Sequence, residues 1–346
     1  MLIKRMSNYE IYNYEVTRKR IRDELRVVDG VSIEDLNKKD IADFIDKTRQ
    51  NHINLVNVTD SQLLEFMGVT KNNKVTIAGL ITFHDYPQYI FPQLQISVVR
   101  IPGQKIGLTD ENGVRFLANQ SFTGNIKQML KDSYDFIVRN LSVSTIIGND
   151  GMRHDKYEYP LLAIREGLLN SLEHRDYSKY TEGFPIRVEI YSDSLLIKSP
   201  GYLYGNSDIS ELGKGIFETR NPALVNILSI LNIGENRYSG IPTMRAEMEK
   251  ANLLPPKFYN RNDSFILELD NEVYIQNLDC ASVNSVLEYC LFPRSREEII
   301  KFVNKSRNYV LSNIISPLIK EGKLGLTMPT KPQSPFQKYY TKQDNK

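Results

Sequence analysis

The stretch that most restricts what this chain can fold into is EYPLLAIREGLLNSLEHRDYS (158–178), followed closely by FPIRVEIYS and SLLIKSPG. Leu161, Ile164, Arg165, Leu168 and Leu172 recur at i, i+3, i+4, i+7 and i+11, the stripe of an amphipathic helix. Pro160 suits its first turn. The two segments after it are apolar and partly β-branched, with a turn near Asp193, and read as an antiparallel pair. A helix followed by paired strands suits a helix laid on a sheet, and the expected fold class is α+β.

Other elements fit around this centre. VTIAGLITF (75–83) reads as a buried strand ended by HDYPQ, and QLQISVVRIPG (93–103) as a second strand with a Pro-Gly stop. GNIKQMLKDSYDFIVRNL (124–141) spaces its apolar residues as a helix, and helices are expected around 223–231 and 241–250 before a closing strand, SFILELD. Between them, GYLYGNSDISELGKGIFETRNP (201–222) is long and glycine-rich, the mark of a functional or mobile loop. Residues 1–70 read as polar, mostly helical pieces and as a connector without a site. From about residue 281 the pattern becomes three short helices and a hairpin: SVLEYCLF, SREEIIKFV with a Ser295/Glu298 capping box, SRNYVLSNIISPLIKEG stopped by Gly322, and KLGLTMPTKPQSPFQKYYTK. Helix, helix, helix, wing is the winged-helix order.

Charge singles out the same tail. The whole chain carries a net +2, yet from Arg294 to Lys346 eleven Lys/Arg face four Asp/Glu, leaving the rest mildly acidic. A basic appendage of this kind suits nucleic acid. No run of 18 apolar residues is present and the N-terminus lacks an apolar signal region, so a cytoplasmic protein without a membrane span is expected. Cys280 and Cys290 fit no zinc spacing and read as reduced, half-buried thiols.

Within the 158–178 helix, Glu166 and Asn170 stand one turn apart on one face, which Glu173 and His174 continue. A carboxylate beside an amide oxygen can orient water and ligate magnesium, although the same spacing also occurs on plain solvated helix faces. EGLLNSLEHRDY resembles the N-box helix of the gyrase, Hsp90, histidine-kinase and MutL ATPase fold (GHKL). The wider series EYPLLAIREGLLNSLEHRDYS, KSPGYLYG, TRNPAL and ENRYSGIPTMRAEM, with TIAGLITFHDYPQYIFPQLQISVVRIPG upstream, resembles the C-terminal part of RecG-like, Schlafen-type AlbA-domain proteins, which carry the label ATP-dependent DNA helicase. That resemblance spans about residues 9–341. It implies a divergent GHKL-like α/β sandwich, with ATP and Mg as cofactors. Glu166 would be the general base, Asn170 the magnesium ligand, Gly201 would lie near the base of the nucleotide and Gly240 near its phosphates. Two departures stand out: Ser199 replaces the Asp expected to read adenine, and Tyr238 replaces the first Gly of the second glycine motif. A helicase P-loop, G-x-x-x-x-G-K-[ST], does not occur; Gly213-Lys214-Gly215 lacks its spacing. Residues 1–20 resemble only the exit of the family's AlbA-like domain, most of which is expected to be missing.

The expected division is a helical connector at 1–70, an α/β module at 71–275 with its GHKL-like core at about 140–270, and a winged-helix DNA-binding domain at 280–343. In the last, Arg307, Asn308 and Asn313 would face base edges from the third helix, and Lys305, Lys331, Lys338 and Lys342 would face phosphates. Three functions stay open: a DNA-binding transcriptional regulator with a nucleotide-responsive or degenerate ATPase module, a Mg-dependent ATPase coupled to DNA binding, and a protein-interaction scaffold. A homodimer is compatible with each.

Overall fold

The computed structural model describes residues 6–107, 109, 112–147, 153–205, 209–214, 218–234, 240–271, 283–332 and 334–342. Along the chain the elements are α1 (Asn8–Lys19), α2 (Lys38–Asn51), α3 (Asp60–Phe66), β1 (Thr70–Lys71), β2 (Lys74–Val75), α4 (Ile77–Phe83), β3 (Ile96–Arg100), β4 (Ala118–Phe122), α5 (Ile126–Asn140), β5 (Val143–Ile147) and β6 (Arg153–Tyr157). Then follow α6 (Leu161–Glu173), β7 (Ile186–Ile190), β8 (Ser194–Pro200), α7 (Pro222–Ile230), α8 (Gly240–Lys250), β9 (Lys257–Arg261), β10 (Ser264–Asp270), α9 (Val283–Tyr289), β11 (Arg294–Ser295), α10 (Arg296–Val303), α11 (Arg307–Val310), α12 (Ser316–Lys320), β12 (Leu324–Leu326) and β13 (Lys338–Thr341). The fold is mixed α+β. Its contacts form two compact units: one of residues 1–140, 161–248 and 255–270, the other of 141–160, 249–254 and 271–346.

The first unit is built on a six-stranded sheet of order β4-β3-β7-β8-β10-β9, in which β3 and β7 run parallel and all other neighbours antiparallel. One face is apolar because every second residue is: Ile96 and Val98, Ile186, Val188 and Ile190, Leu195 and Ile197, Leu267 and Leu269 are all buried. Helices α5 and α6 cover that face, α5 over β3 and β4 and α6 over β8. Ile126, Met129, Leu130 and Ile137 of α5, with Ala163, Ile164, Leu168 and Leu172 of α6, fill the layer between. Helix α6 comes so close that a methyl group on Gly167 would sit 2.6 Å from Leu267 and 2.8 Å from Ile197. That approach sets the depth of the whole α6 face.

The segment 75–83 is not a strand. Its first residues close the β1–β2 hairpin, whose turn residues Asn72 and Asn73 take positive φ, and Thr76 then caps α4 by accepting the Gly79 amide at 3.1 Å. All of α4 is buried, so no polar face reveals a helical period, and a short apolar run enclosed on every side reads alike as strand or helix. Strand β9 and the β5–β6 hairpin do not stand out in the sequence; Lys257, Asn260 and Arg261 make β9 polar, as suits a sheet edge.

In the second unit, α9, α10 and the helical run from α11 to α12 surround a core of Val286, Tyr289, Cys290, Ile299, Phe302, Val310, Ile314 and Leu318. A three-stranded sheet of order β11-β13-β12 closes it. Ser295 and Glu298 make the expected capping box, and Ser306 caps the next helix through the Tyr309 amide. Residues Leu311–Ile315 form a π turn just before Pro317, which lacks an amide hydrogen to continue the α ladder. The hairpin β5–β6 is fastened into this unit by buried polar groups. Glu158 accepts from the Ser142 amide at 2.8 Å and from Asn271 Nδ2 at 3.2 Å, while Arg294 donates to Asn271 Oδ1 (2.8 Å) and to its carbonyl (2.6 Å). Arg294 is only 2% exposed, so it belongs to this fastening and not to the basic surface of the tail.

Removing that guanidinium strips buried acceptors of their charged donor. Arg294→Ala is expected to destabilise the second unit by about 2–4 kcal/mol, read as a lowered urea midpoint; Arg294→Lys recovers only part of it because the forked contact to Asn271 is lost.

Candidate functional site

Groups along one side of helix α6, together with residues of β8, β9 and β10, line a cavity of about 410 Å³ in the first unit. Glu166 is 5% exposed and Asn170 half-buried. Asn170 Nδ2 donates to the Glu166 carbonyl at 2.8 Å, an i+4 contact within α6 that fixes the amide plane. Opposite them stands Gly240, the first residue of α8. A methyl group there would lie 2.9 Å from Asn170 Nδ2, 3.0 Å from Glu166 Oε2 and 3.5 Å from Asn170 Oδ1. The start of an 11-residue helix therefore rests directly on the carboxylate–amide pair, with no room for a side chain. Beside Glu166, Arg165 Nη1 comes within 3.4 Å of its Oε1, and Arg165 Nη2 donates to the Ile233 carbonyl at 3.2 Å.

The remaining walls differ in character. Ile197, Leu203, Leu212, Phe258, Phe265 and Leu267 make one part apolar, with Phe258 and Phe265 stacked at 6.0 Å. Ser199 lines the cavity, but its hydroxyl donates to the Ser171 carbonyl at 2.9 Å. Gly201 also lines it and takes φ +106°, pressed so near Asp176 that a methyl group would fall 2.6 Å from the Asp176 Cβ. Its need for glycine thus comes from the protein's own packing. Tyr238 lies outside the described residues.

Glu173 extends the acidic face one turn beyond Asn170. Burial first, and the neighbouring Glu166 charge second, push its carboxyl up from the ordinary 4.5 to about 8. Arg220 supplies the only lysine or arginine among the described lining residues, and it is spent on Asp176 at 3.3 Å. With Glu166 and Glu218 on the same walls, the lining is acidic even though Glu173 holds its proton up to about pH 8. Among the described residues no cluster of three His, Cys, Asp or Glu side chains could hold a metal alone.

The structure therefore brings Glu166, Asn170, Gly201 and Gly240 to one cavity from three separate stretches of sequence. It adds Glu173, Arg220, Phe258 and Phe265; in the sequence Glu173 shows only as a continued helix face, Arg220 within the TRNP motif and Phe265 on the closing strand, while Phe258 lies on a strand with no such signal. His174 accepts or donates at Thr219 Oγ1 over 3.1 Å. Arg175 and Asp176 are structural: Arg175 donates to the Thr181 and Phe184 carbonyls from a buried position. In the second unit Lys305, Arg307, Asn308, Asn313, Lys331 and Lys342 are exposed, and Lys338 is half-buried on β13 opposite Ser295. Burial pushes the Cys290 thiol up to about 12, which leaves no thiolate at neutral pH; Cys280 lies outside the described residues.

The raised Glu173 carboxyl has a consequence for stability. Its proton is held more tightly in the folded chain, so its contribution is full below about pH 4.5 and fades as the pH rises through about 8. A melting temperature that declines over this window is expected for the native protein, and Glu173→Gln should flatten the decline.

Comparison with known proteins gives no match among curated sequences. The structure is similar to the crystal structure of the DIP2311 protein from Corynebacterium diphtheriae, with a TM-score of 0.53 and 17% identity over 92% of this chain. The match spans 64% of that protein's length, and at this identity it speaks for the fold alone. No described helix is long and apolar enough to cross a membrane. Residues 183–269, which carry β7 to β10 and most of the cavity walls outside α6, match the family described as "Putative ATP-dependent DNA helicase recG C-terminal", an ATPase-type domain.

Proposed function

We propose that the cavity binds a nucleoside triphosphate with Mg and that the chain is a DNA-binding regulatory protein responsive to that ligand. The observation that carries the first half is Gly240 lying against Glu166 and Asn170 at the start of α8. The amides at a helix start favour phosphate, and here that start meets the carboxylate and amide of α6, so the groups a Mg–nucleotide would need stand together. The volume suits a nucleotide-sized ligand, since such sites enclose roughly 300–1,000 Å³. An acidic lining disfavours bare phosphates, so a divalent cation must accompany them, with Asn170 Oδ1 the protein atom best suited to it. When bound, the cation would neutralise phosphate charge; the chain's own part is to orient and to exclude water. The base would lie among the apolar residues near Phe258 and Phe265. Ser199 gives it no carboxylate, and its hydroxyl is already committed, so base recognition there rests on shape and stacking.

The second half rests on the order α9, β11, α10, α11–α12, β12, β13, which is how a winged helix is laid out. On this reading the run from Arg307 to Lys320 is the recognition helix, with Arg307 and Asn308 exposed at its start. Lys305, Lys331 and Lys338 would meet phosphates. The absent P-loop argues against a helicase motor in this chain.

Glu166 favours a second reading, a Mg-dependent ATPase. A carboxylate 5% exposed beside the same cradle could accept a proton from water attacking the terminal phosphate. Glu166→Ala separates the two: turnover stops if the chain hydrolyses ATP, whereas binding and DNA affinity persist.

Calorimetry with a non-hydrolysable ATP analogue and Mg should give an affinity on the order of micromolar, weakened about tenfold or more in Asn170→Ala. No heat with the native protein would sink the nucleotide reading. For DNA, the slope of log affinity against log salt should fall by about one in Lys331→Ala. A flat salt dependence, or no binding, would instead favour an interaction scaffold.

A further inference from the structure

Helix α1 lies in the same compact unit as the cavity, and its side chains reach residues of the cavity wall. Tyr9, 9% exposed, donates its hydroxyl to Asp176 Oδ2 at 3.0 Å. Asp176 is fully buried and holds Arg220 Nη1 at 3.3 Å from the same oxygen. Arg220 in turn donates Nη2 to the Tyr202 carbonyl at 3.1 Å and to Asn13 Oδ1 of α1 at 3.3 Å, and its guanidinium stacks 5.3 Å from the Tyr204 ring. Tyr202, Tyr204 and Arg220 all line the cavity. The Asp176 amide donates to the Pro200 carbonyl at 2.9 Å, and Gly201 presses on the Asp176 side chain. The Tyr9 ring also packs near the rings of Tyr202 (5.9 Å) and Tyr180 (6.2 Å), while Tyr12 packs on Tyr180 at 4.8 Å.

We propose that Tyr9 is a positioning residue for the cavity: through Asp176 and Arg220 it fixes the wall formed by Tyr202 to Tyr204. The physical case is the cost of burying Asp176 and Arg220. A buried ion pair holds one geometry only when its remaining lone pairs and hydrogens are satisfied, and the Tyr9 hydroxyl is one of the few donors that reach Asp176. Without it, the carboxylate turns toward other donors, the guanidinium follows, and Tyr202 and Tyr204 lose the anchor on their backbone and ring. The N-terminal helix is thereby an integral support of the ligand site. Where the experiment uses a nucleotide it rests on the function proposed above; its optical arm does not.

The chain has no tryptophan, so Tyr204→Trp places a single reporter on the wall. Acrylamide quenching of that reporter is compared with and without Tyr9→Phe, which keeps the ring and deletes the hydroxyl. Tyr14→Phe, at an exposed position of the same helix, is the control. The expected result is stronger quenching with Tyr9→Phe alone, an unchanged control, and a Kd for the Mg–ATP analogue raised about three- to tenfold by Tyr9→Phe in the otherwise native chain. Unchanged quenching would overturn the proposal. So would a loss of fold spread over the whole unit, visible as amide exchange rising everywhere and not chiefly at 200–204 and 218–222. Amide exchange on Tyr9→Phe alone decides the matter if the reporter variant does not fold. Should the native chain bind no nucleotide while quenching still responds, the positioning role stands and the nucleotide reading falls.

Discussion

The pairing of Asp176 with Arg220 is the constraint around which the first unit is arranged. Both are almost wholly shielded from water, 0% and 4% exposed, and two charges in that position cost several kcal/mol each unless their hydrogen-bonding capacity is met. The chain meets much of it from widely separated places, although Arg220 Nε makes no hydrogen bond. Tyr9 comes from α1, the Ser178 amide from the turn after α6, the Tyr202 carbonyl from the loop after β8, and Asn221 ties the neighbouring carbonyls of Glu173 and Arg175. Each partner drags its own segment into register. The end of α6, the exit of β8 and the entry to α7 are therefore placed together, and these segments supply much of the cavity.

This also explains which parts of the fold could be read from the sequence. Helix α6 and the β7–β8 pair were legible because each has one apolar and one polar side, so its period shows. Helix α4 reads as a strand because it has no polar side at all. Strand β9 escaped because it is a polar edge, and the β5–β6 hairpin because its stability comes from Glu158, Asn271 and Arg294, which lie far apart in sequence. The first seventy residues gave no hint of a role. A tyrosine that fixes a distant ion pair has no local signature, since the feature that makes it useful is the partner it reaches.

The candidate site shows the same division. The helical spacing of Glu166 and Asn170 was visible, and with the resemblance to the ATPase-type domain it led to Gly201 and Gly240. Geometry gives the two glycines different meanings. Gly240 is small because two side chains of α6 occupy the space in front of it, whereas Gly201 is small because Asp176 does. In the sequence Glu173 is only one more residue on a face. Its raised carboxyl comes from burial and from the Glu166 charge beside it, neither of which a spacing rule contains.

The second unit is assembled from three separated stretches of chain, and this bears on how the protein forms during synthesis. The hairpin at 143–157 is made more than a hundred residues before Asn271 and Arg294, the side chains that complete its buried contacts. Until then Glu158 has no Asn271 to bind, and the hairpin is a two-stranded piece too small to be stable by itself. Closure over so long a separation is slow compared with local helix formation. The first unit, meanwhile, has its α1–α5 portion available early and gains its last strand, β10, just before the connection to Asn271 emerges. The ribosome thus delivers the site-bearing sheet and the missing partner of the hairpin almost together. The stretch 271–346 completes the unit to which a hairpin made far earlier belongs.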